Sequence, residues 1–513
     1  LNYSEAGKSA ILTEALKNNY ALNIGGIPDS LITKEKQLEK SIWNYEELIY
    51  EENKKKTPNQ NKLKYWNEYL FEKKQEYDQL MNYLESNFVK YHALKHIQNE
   101  VKVEEIQKTL TRKDVLIEYF FTNDKIYSFL IKKDDLDIIV LNIDETFHSN
   151  LDHILFSLSN NNFSNHGYDD FKKYQESSLF LYNTLLKPIE NEIKHKNLII
   201  IPDGKLAYLP FEVLTTKDMQ FKRINYKELP YLLYNHDINY SYSVSFLFEN
   251  KRKVESVLKT IGAFAPTYDN ISGLPEEFSS FRQEYREKLF PLKGIKIEVQ
   301  EISKLLGGDQ YLDEDAIEKT FKKVAPNYDI LHLAMHTILD DVNPMYSKMA
   351  FTQNSDTTED GFLNTYELYN IRLNSRMAVL SSCNSGSGKM HRGEGVMSLA
   401  RGFIYSGCPS IVMTLWSVED KSGVKLMTSF YKYLLKGKSK SESLTLSKLD
   451  FINTADQLKS HPYFWSGYVV IGNNKALFKT HRIYLVYFGI IILLLAGVLF
   501  LIKNKKSIST SSK

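Results

Sequence analysis

The chain has 513 residues, of which 43% are hydrophobic and 25% are charged, a composition that suits two or three globular domains. Its 65 lysines and arginines nearly balance its 63 acidic residues, so charge gives no reason to expect a nucleic-acid partner. The two cysteines, Cys383 and Cys408, exclude a disulfide framework, which leaves packing to hold the fold. Because the sequence begins at Leu1 with helix-like residues, we expect it to be the C-terminal part of a longer chain.

Residues 1–110 are predicted to form a helical region. Apolar residues recur at three- and four-residue spacing in 34–53 and 62–87, where Glu, Lys, Leu and Tyr are abundant. Pro58 lies between these stretches and favours an antiparallel helical hairpin. The region shows no convincing 34-residue repeat, and its charged faces are expected to be mainly solvated surface.

A first α/β unit is predicted over residues 111–255. Short runs rich in Ile, Val, Phe and Tyr indicate its strands: 115–121, 125–131, 136–143, 197–204 and 236–243. A helical stretch near 170–195 separates the third of these strands from the fourth, and Pro202, Asp203 and Gly204 close a turn.

A second α/β unit is predicted over residues 256–475. Its strands are expected at 260–266, 328–336, 376–383 and 409–416, with helices at 299–308, 395–407 and 421–437. Strands alternating with helices in this way favour a mainly parallel sheet covered on both faces. The predicted fold class is therefore α/β, with a helical region in front of it.

The segment 483–502 is predicted to be a transmembrane helix. It contains no charged residue, and its length matches the roughly 30 Å of a bilayer's hydrocarbon core. Tyr484 and Tyr487 would lie at the interface, and residues 503–513 would form a basic tail. We therefore expect a single-pass membrane protein that has the membrane as a partner, and basic residues on both flanks leave its orientation open.

Two residues suited to nucleophilic catalysis end strands of the second unit. His336 ends 328–336, and Cys383 ends 376–383 just before a loop rich in Gly and Ser. Because the carboxyl ends of parallel strands meet at one edge of a sheet, we expect the imidazole and the thiol to lie close together. A thiol of pKa about 8.5 needs a nearby base to react at neutral pH, and the histidine can then protonate the leaving amine. Either residue alone would more often be packed core, but together they favour catalysis.

Three other patterns carry no predicted chemistry. His332 and His336 are four residues apart, but no Glu follows the first and the segment is predicted to be a strand, so a zinc site is not expected and His332 is assigned to the core. The segment 386–389 reads GSGK, but it lacks both the first glycine and the Ser/Thr of a phosphate-binding loop. Cys408 enters a buried strand and is assigned to packing. No cofactor and no metal are expected.

Several segments, taken in order, resemble the CHAT domain, a caspase-like module associated with tetratricopeptide repeats. They are DVLIEYFFTNDKIYSFLI (114–131), IPDGKLAYLPFEVL (201–214), LHLAMH (331–336), the stretch from VLSSC to WSVED (379–420) and HPYFWSGYVVIG (461–472). The resemblance runs from about residue 85 to residue 473, and the combined pattern is highly specific. It implies a caspase/separase fold in which an inactive, substrate-docking half (111–255) precedes an active half (256–475).

The resemblance also assigns roles to individual residues. It implies that His336 and Cys383 form the catalytic dyad and that tetratricopeptide repeats lie upstream. Glu419 and Asp420 match acidic positions that help to shape the pocket for the substrate residue before the cut, which would favour a basic residue there. They could equally be a helix-start acidic pair that interacts with the helix dipole. Thr337 stands where relatives usually have a Gly whose N–H, with that of Cys383, forms the oxyanion hole; its Cβ restricts the backbone.

The expected function is that of a membrane-anchored cysteine endopeptidase. Its partner would be a protein substrate, recruited by the upstream repeats and cut through the dyad. One alternative is a catalytically idle scaffold that assembles protein partners at a membrane. Another is acyl transfer or hydrolysis by the same dyad on a substrate that is not a protein.

Overall fold

The computed structural model describes residues 26–88, 91–92, 102–160, 167–249, 259–268, 289–340, 343–354, 359–381 and 394–478. The helices are α1 (Asp29–Lys54), α2 (Gln60–Asn87), α3 (Val103–Thr109), α4 (Glu145–Ser159), α5 (Tyr168–Leu185), α6 (Glu190–Ile193), α7 (Val244–Glu249), α8 (Ile295–Leu306), α9 (Glu318–Val324), α10 (Thr365–Tyr369), α11 (Glu394–Tyr405), α12 (Asp420–Leu435) and α13 (Lys440–Thr454). The strands are β1 (Asp114–Phe121), β2 (Lys125–Ile131), β3 (Leu136–Asn142), β4 (Asn197–Ile201), β5 (Ile238–Tyr240), β6 (Lys259–Pro266), β7 (Asp309–Asp313), β8 (Tyr328–Ala334), β9 (Thr337–Ile338), β10 (Lys348–Ala350), β11 (Phe362–Asn364), β12 (Met377–Ser381), β13 (Ser410–Thr414) and β14 (Tyr468–Gly472).

The predicted helical region is present as α1 and α2, which pack against each other. Leu38 of α1 is buried with Leu80 and Leu84 of α2 in a small apolar core. The chain changes direction in the short stretch between the helices, where Asn59 caps α2 by accepting hydrogen bonds from the backbone of the next turn.

Strands from both predicted α/β units form one sheet of eleven strands. Their order is β3-β2-β1-β4-β5-β14-β13-β12-β8-β6-β7. Most neighbours are parallel, which confirms the predicted mixed α/β class with a mostly parallel sheet. The sheet passes from the first unit to the second where β5 pairs with β14, and buried apolar residues continue across this junction.

The parallel strands of the two halves run in opposite directions, and the change of direction lies between β14 and β13. In the first half (β1–β5), β1, β4 and β5 are parallel to one another, and β5 is parallel to β14. In the second half (β6–β8 and β12–β14), β14 is antiparallel to β13, which is parallel to β12, β8, β6 and β7. The carboxyl ends of the parallel strands therefore lie at opposite edges of the sheet in the two halves.

The strand β8 lies beside β12, as the sequence predicts for the strands before His336 and Cys383. The two are parallel, and Ala334 pairs with Ser381 at their carboxyl ends. After His336 the chain forms a separate sheet of three short strands, β9, β10 and β11, which the sequence did not predict. These strands contain only two or three residues each, too few for a periodic pattern.

The predicted membrane segment 483–502 lies outside the residues that the structure describes. A helix that crosses a bilayer needs about 20 predominantly apolar residues, because charged side chains are costly in hydrocarbon. Within the described ranges, no helix combines that length with that apolar character. The longest ones, α1 and α2, carry Glu and Lys along their whole length. The predicted localisation as a single-pass membrane protein, with the membrane as a partner, is corrected on this finding.

Candidate functional site

His336 follows the last residues of β8 and is buried, with only 1% of the residue exposed. Its ring lies between Tyr268 and Phe290, with centroid distances of 4.7 Å to each ring. The Tyr268 hydroxyl accepts a hydrogen bond from the His336 backbone N–H (3.1 Å) and donates one to the Ala350 carbonyl (2.7 Å). The residues after β6 and the strand β10 therefore fix the backbone of His336. The antiparallel pair β9 and β10 is called the hairpin that follows His336.

The ring nitrogen Nε2 of His336 lies 2.7 Å from the carbonyl oxygen of Phe290. Because a carbonyl only accepts hydrogen bonds, Nε2 carries the proton, and Nδ1 is the acceptor nitrogen of the neutral ring. Burial lowers the pKa of His336 below its usual value, although the Phe290 carbonyl and the Asp420 carboxylate act in the opposite direction. The neutral imidazole is therefore favoured near neutral pH.

Thr337 opens β9 and is buried, with 3% exposed. It lies opposite Met349 of β10, so its backbone belongs to the small antiparallel sheet. Its hydroxyl oxygen is enclosed and has no hydrogen-bond partner among the described residues. This side chain therefore contributes bulk at the predicted oxyanion position and no polar contact of its own.

Glu419 and Asp420 stand at the start of α12 but have different surroundings. The Glu419 carboxylate accepts hydrogen bonds from Lys459 (3.0 Å) and Ser422 (2.6 Å). Although partial burial acts to raise it, these bonds hold the pKa of Glu419 below its usual value. The charge of Glu419 is therefore already paired within the chain.

Asp420 faces the segment that contacts His336. Its carboxylate accepts a hydrogen bond from the backbone N–H of Gly294 (3.1 Å), and Gly294 is the N-cap residue of α8. The negative charge of Asp420 is favourable there because the N-terminus of a helix carries partial positive charge. A Cβ at Gly294 would lie 2.5 Å from the Cβ of Asp420, so this approach requires glycine. Of the two predicted pocket carboxylates, Asp420 is the one whose charge acts on His336.

Cys383 lies outside the described residues, so its distance from His336 stays a prediction. The strand β12 is described as far as Ser381, two residues earlier in the chain. The Ser381 hydroxyl lies 2.7 Å from that of Tyr468 on β14. Because β12 is parallel to β8, the two strand ends that should carry the dyad lie at the same edge of the sheet.

The sequence did not predict the groups that hold His336. The contact from Phe290 is made by a backbone carbonyl, which leaves no mark in a residue pattern, and Tyr268 follows β6 without any motif around it. An aromatic residue at a strand end was the only signal available for Tyr268, and such residues are common in cores.

The helix α1 contacts the hairpin that follows His336. Tyr50 and Lys54 bind the carboxylate of Asp340, each at 3.1 Å. Lys348 of β10 is buried and lies 3.0 Å from Glu47 of α1. The helical region is therefore joined by charged contacts to the chain segment that begins at His336.

Two further features agree with their assignment to packing. Cys408 is fully buried, its sulfur lies 3.4 Å from the Ser410 carbonyl, and burial raises the pKa of its thiol to about 12. His332 is also fully buried and belongs to the core as predicted.

Three carboxylates near α9 lie close enough together to bind a metal ion: Glu318, Glu359 and Glu367. The ammonium group of Lys322 lies within 2.6 to 2.7 Å of each of them, in the place that a cation would take. Their charge is thus partly balanced by the chain itself, and this cluster is separate from the His336 site.

Comparisons with known proteins agree with the resemblance to the CHAT domain that the sequence shows. The CHAT domain family model matches residues 175–473. Tetratricopeptide repeat protein 28 of Homo sapiens is 21% identical over 339 residues, which cover 58% of this chain and 13% of that protein. Its counterpart in Mus musculus is 22% identical with the same coverage. The chain thus spans only a small part of these curated relatives.

Two solved structures show a weak overall similarity. One is the Saccharomyces cerevisiae separase–securin complex, with a TM-score of 0.43, 10% identity, and coverage of 75% of this chain and 31% of that chain. The other is the Arg-specific cysteine proteinase gingipain R, with a TM-score of 0.36, 9% identity, and coverage of 60% and 68%.

Proposed function

The chain belongs to the CHAT domain family, and from that premise we propose that it is a cysteine endopeptidase that cuts a protein substrate through His336 and Cys383. One observation carries the proposal. The imidazole of His336 lies at the carboxyl end of β8, and the parallel neighbour of that strand, β12, is two residues from Cys383. The expected caspase-like arrangement of the two halves is part of the same proposal.

The chain between Ser381 and Cys383 is short enough to support this pairing. Two residues span at most about 7 Å, and paired strands lie about 4.8 Å apart. Since Ser381 pairs with Ala334, the same register continued by two residues would place Cys383 opposite His336. The thiol would then lie within reach of the imidazole.

The tautomer of His336 suits the chemistry. With Nε2–H donated to Phe290, Nδ1 takes the proton of the Cys383 thiol, and the thiolate attacks the scissile carbonyl carbon. The tetrahedral oxyanion would be stabilised by the backbone N–H groups of Cys383 and Thr337. The imidazolium then protonates the leaving amine, and water hydrolyses the acyl-enzyme that remains.

Asp420 is the better candidate for the specificity pocket. Glu419 is neutralised by Lys459, whereas Asp420 is half-buried and exerts its charge towards His336. A carboxylate there would favour a basic substrate residue before the cut. Because Asp420 also accepts a hydrogen bond from Gly294, we propose that it contributes to this preference without being its only source.

The helical region would present substrates to the site. We propose that α1 and α2 end a longer helical array that recruits a protein partner. The contacts from Tyr50, Lys54 and Glu47 to the hairpin after His336 support this role, because they hold the helices next to the proposed catalytic edge.

A second candidate function is a catalytically idle scaffold, and one observation favours it. His336 is only 1% exposed, and the half-exposed Phe290 ring packs against it, so a substrate must displace some of its cover. A scaffold would need no such movement.

The test compares the full chain with its Cys383→Ala and His336→Ala variants. Each is incubated with a cell lysate and with peptides that differ in the residue before the cut, and new N-termini are mapped by mass spectrometry. The peptidase predicts products that both substitutions abolish, with Lys or Arg before the cut. Identical product sets from all three proteins would refute the peptidase and leave the scaffold.

A further inference from the structure

A histidine within β8, four residues before His336, makes contacts that the proposed chemistry does not use. His332 is fully buried, and its Nε2 lies 3.0 Å from the carboxylate of Glu298 on α8. Its Nδ1 lies 3.1 Å from the hydroxyl of Tyr431 on α12. Glu298 is 3% exposed and Tyr431 is fully buried. Both ring nitrogens are thus satisfied by side chains from two different helices.

The contacts of this group extend towards the strand that leads to Cys383. A Cβ at Gly423 would lie 3.4 Å from the Glu298 carboxylate and 3.2 Å from the Tyr468 hydroxyl, so α12 approaches both groups closely at this glycine. The Tyr468 hydroxyl in turn lies 2.7 Å from that of Ser381 on β12. We call Glu298, His332 and Tyr431 the buried polar triad.

The helix α8 connects the triad to His336. Glu298 lies in its first turn, and the chain that enters α8 carries the Phe290 carbonyl that binds Nε2 of His336. The same chain is held at Gly294 by Asp420. Phe290 is therefore linked to the helix that carries Glu298 by a short stretch of chain that is anchored at Gly294.

A buried carboxylate and imidazole are a costly way to hold a helix, since apolar side chains of similar volume are often as stabilising. What hydrogen bonds add is direction. The bonds at Nε2 and Nδ1 of His332 define both the position of α8 along β8 and the position of α12 beside it. A defined helix position matters here because the Phe290 carbonyl oxygen lies 2.7 Å from Nε2 of His336, and a small shift would break this hydrogen bond.

We propose that Glu298 is a positioning residue, which acts through His332 and Tyr431 to keep the Phe290 carbonyl on Nε2 of His336. The inference rests on the proposed function for its consequence in catalysis, because it would keep His336 in the tautomer that can accept the thiol proton. The hydrogen bond that it protects is nevertheless measurable on His336 itself.

The experiment observes the His336 ring by ¹⁵N imidazole NMR of the full chain, with its signals assigned from a His336→Gln variant. The facing charged or titratable groups, among the described residues, are Asp420 of α12 and Tyr268 after β6. In the parent we expect one tautomer, protonated at Nε2. In Glu298→Leu we expect a mixture of tautomers and a pKa that rises towards about 6.5, because the ring gains solvent.

Two variants control for loosening of the fold. Glu298→Gln keeps an acceptor for His332 and should retain most of the parent tautomer. Leu444→Ala truncates a buried side chain of α13 that does not belong to the buried polar triad, and it should lower the melting temperature without changing the His336 signals. A shift in Leu444→Ala as large as that in Glu298→Leu would refute a specific positioning role.

Unchanged His336 signals in folded Glu298→Leu would overturn the proposal. If that variant does not fold, Tyr431→Phe decides, because it removes one hydroxyl at nearly constant volume. It should shift the same signals in the same direction by a smaller amount, and unchanged signals would again overturn the proposal. A chain that cleaves nothing, yet shows these shifts, would refute the peptidase and leave the positioning role intact.

Discussion

The two halves of the sheet share an architecture but differ at the ends of their strands. In the first half, β4 ends in a tight turn, where the Asp203 carboxylate accepts hydrogen bonds from the backbone of Phe121 and Gly204. In the second half, β8 ends at Ala334, two residues before His336, and β12 ends at Ser381, two residues before Cys383. Because the halves run in opposite directions, these ends lie at opposite edges of the sheet.

This difference shows that architecture alone does not make a site. Both halves direct carboxyl ends of parallel strands to an edge, which is where open α/β sheets place their ligands. In the second half, we propose that His336 at this edge exchanges a proton with the thiol of Cys383. In the first half the same position is used to close a turn, as Asp203 shows.

The largest expected effect is on the cleavage rate, and it compares a histidine of the second half with one of the first half. His336→Ala should lower cleavage by about 10²–10⁴-fold, because the general base is lost. His148→Ala, a change in α4 of the first half, should leave the rate within about twofold of the parent, since surface substitutions rarely matter. The measurement is the initial rate on a peptide found in the substrate screen. Equal rates for His336→Ala and the parent would remove the distinction between the edges.

The next effect tests what joins the halves. Lys448 of α13 is buried, donates to Glu212 of the first half and to the Tyr468 carbonyl (2.7 Å), and Glu212 also accepts a bond from Tyr240 (2.7 Å). Lys448→Met should cost about 3–5 kcal/mol of unfolding free energy, because it leaves a buried carboxylate without its cation.

Denaturant unfolding measures that cost. Lys438→Met, which removes a surface pair with Glu442, should cost no more than about 1 kcal/mol. Adding Glu212→Gln to Lys448→Met should restore part of the loss. A Lys448→Met protein as stable as the surface control would contradict a buried charge contact between the halves.

A smaller effect concerns the helical region, whose buried Glu47 contacts Lys348 of β10 and Tyr366 of α10. Glu47→Gln should reduce stability by about 1–3 kcal/mol, because Lys348 and the Tyr366 hydroxyl both bind this carboxylate. The neighbouring change Glu46→Gln removes an exposed pair with Lys74 and should cost less than about 1 kcal/mol. Thermal unfolding of both variants compares them directly, and equal melting temperatures would count against this contact.

The smallest effect is a shift in pH dependence. The Asp420 carboxylate raises the pKa of His336, against the larger lowering by burial. Asp420→Asn removes this charge while keeping an acceptor for Gly294, so the pKa of His336 should fall further. The imidazole would then stay neutral to lower pH, and the acidic limb of the cleavage rate should move down by less than about one pH unit. A limb that moves up would contradict the assigned role of Asp420.

Most strands of both halves could be predicted because they are short runs rich in β-forming apolar residues. The strand β8 and its neighbour β12 were predicted in this way. The strands β7 and β14 were not predicted, and β7 begins and ends with an aspartate. The predicted helix 299–308 corresponds to α8, which ends where Gly307 adopts a left-handed backbone with φ of +66°. The edge position of His336 followed from the same reasoning.

The join between the halves could not be predicted. It depends on β5 pairing with β14, where Asn239 donates to the Gly472 carbonyl (2.9 Å) across more than 200 residues of chain. Local periodicity carries no information about such a partner. The contact of the Phe290 carbonyl with His336 and the Glu298–His332 pair could not be predicted either, because both depend on tertiary packing.

The reactivity of the Cys383 thiol shows directly whether His336 activates it. The rate of its alkylation by iodoacetamide is measured from pH 5 to 10 by mass spectrometry, in the parent and in His336→Ala, with the buried Cys408 as internal reference. At pH 6.5 we expect the parent to react about 10- to 100-fold faster than the variant, whose profile should follow a pKa of about 8.5. Identical profiles in the two proteins would show that His336 does not activate Cys383 and would contradict the proposed peptidase function.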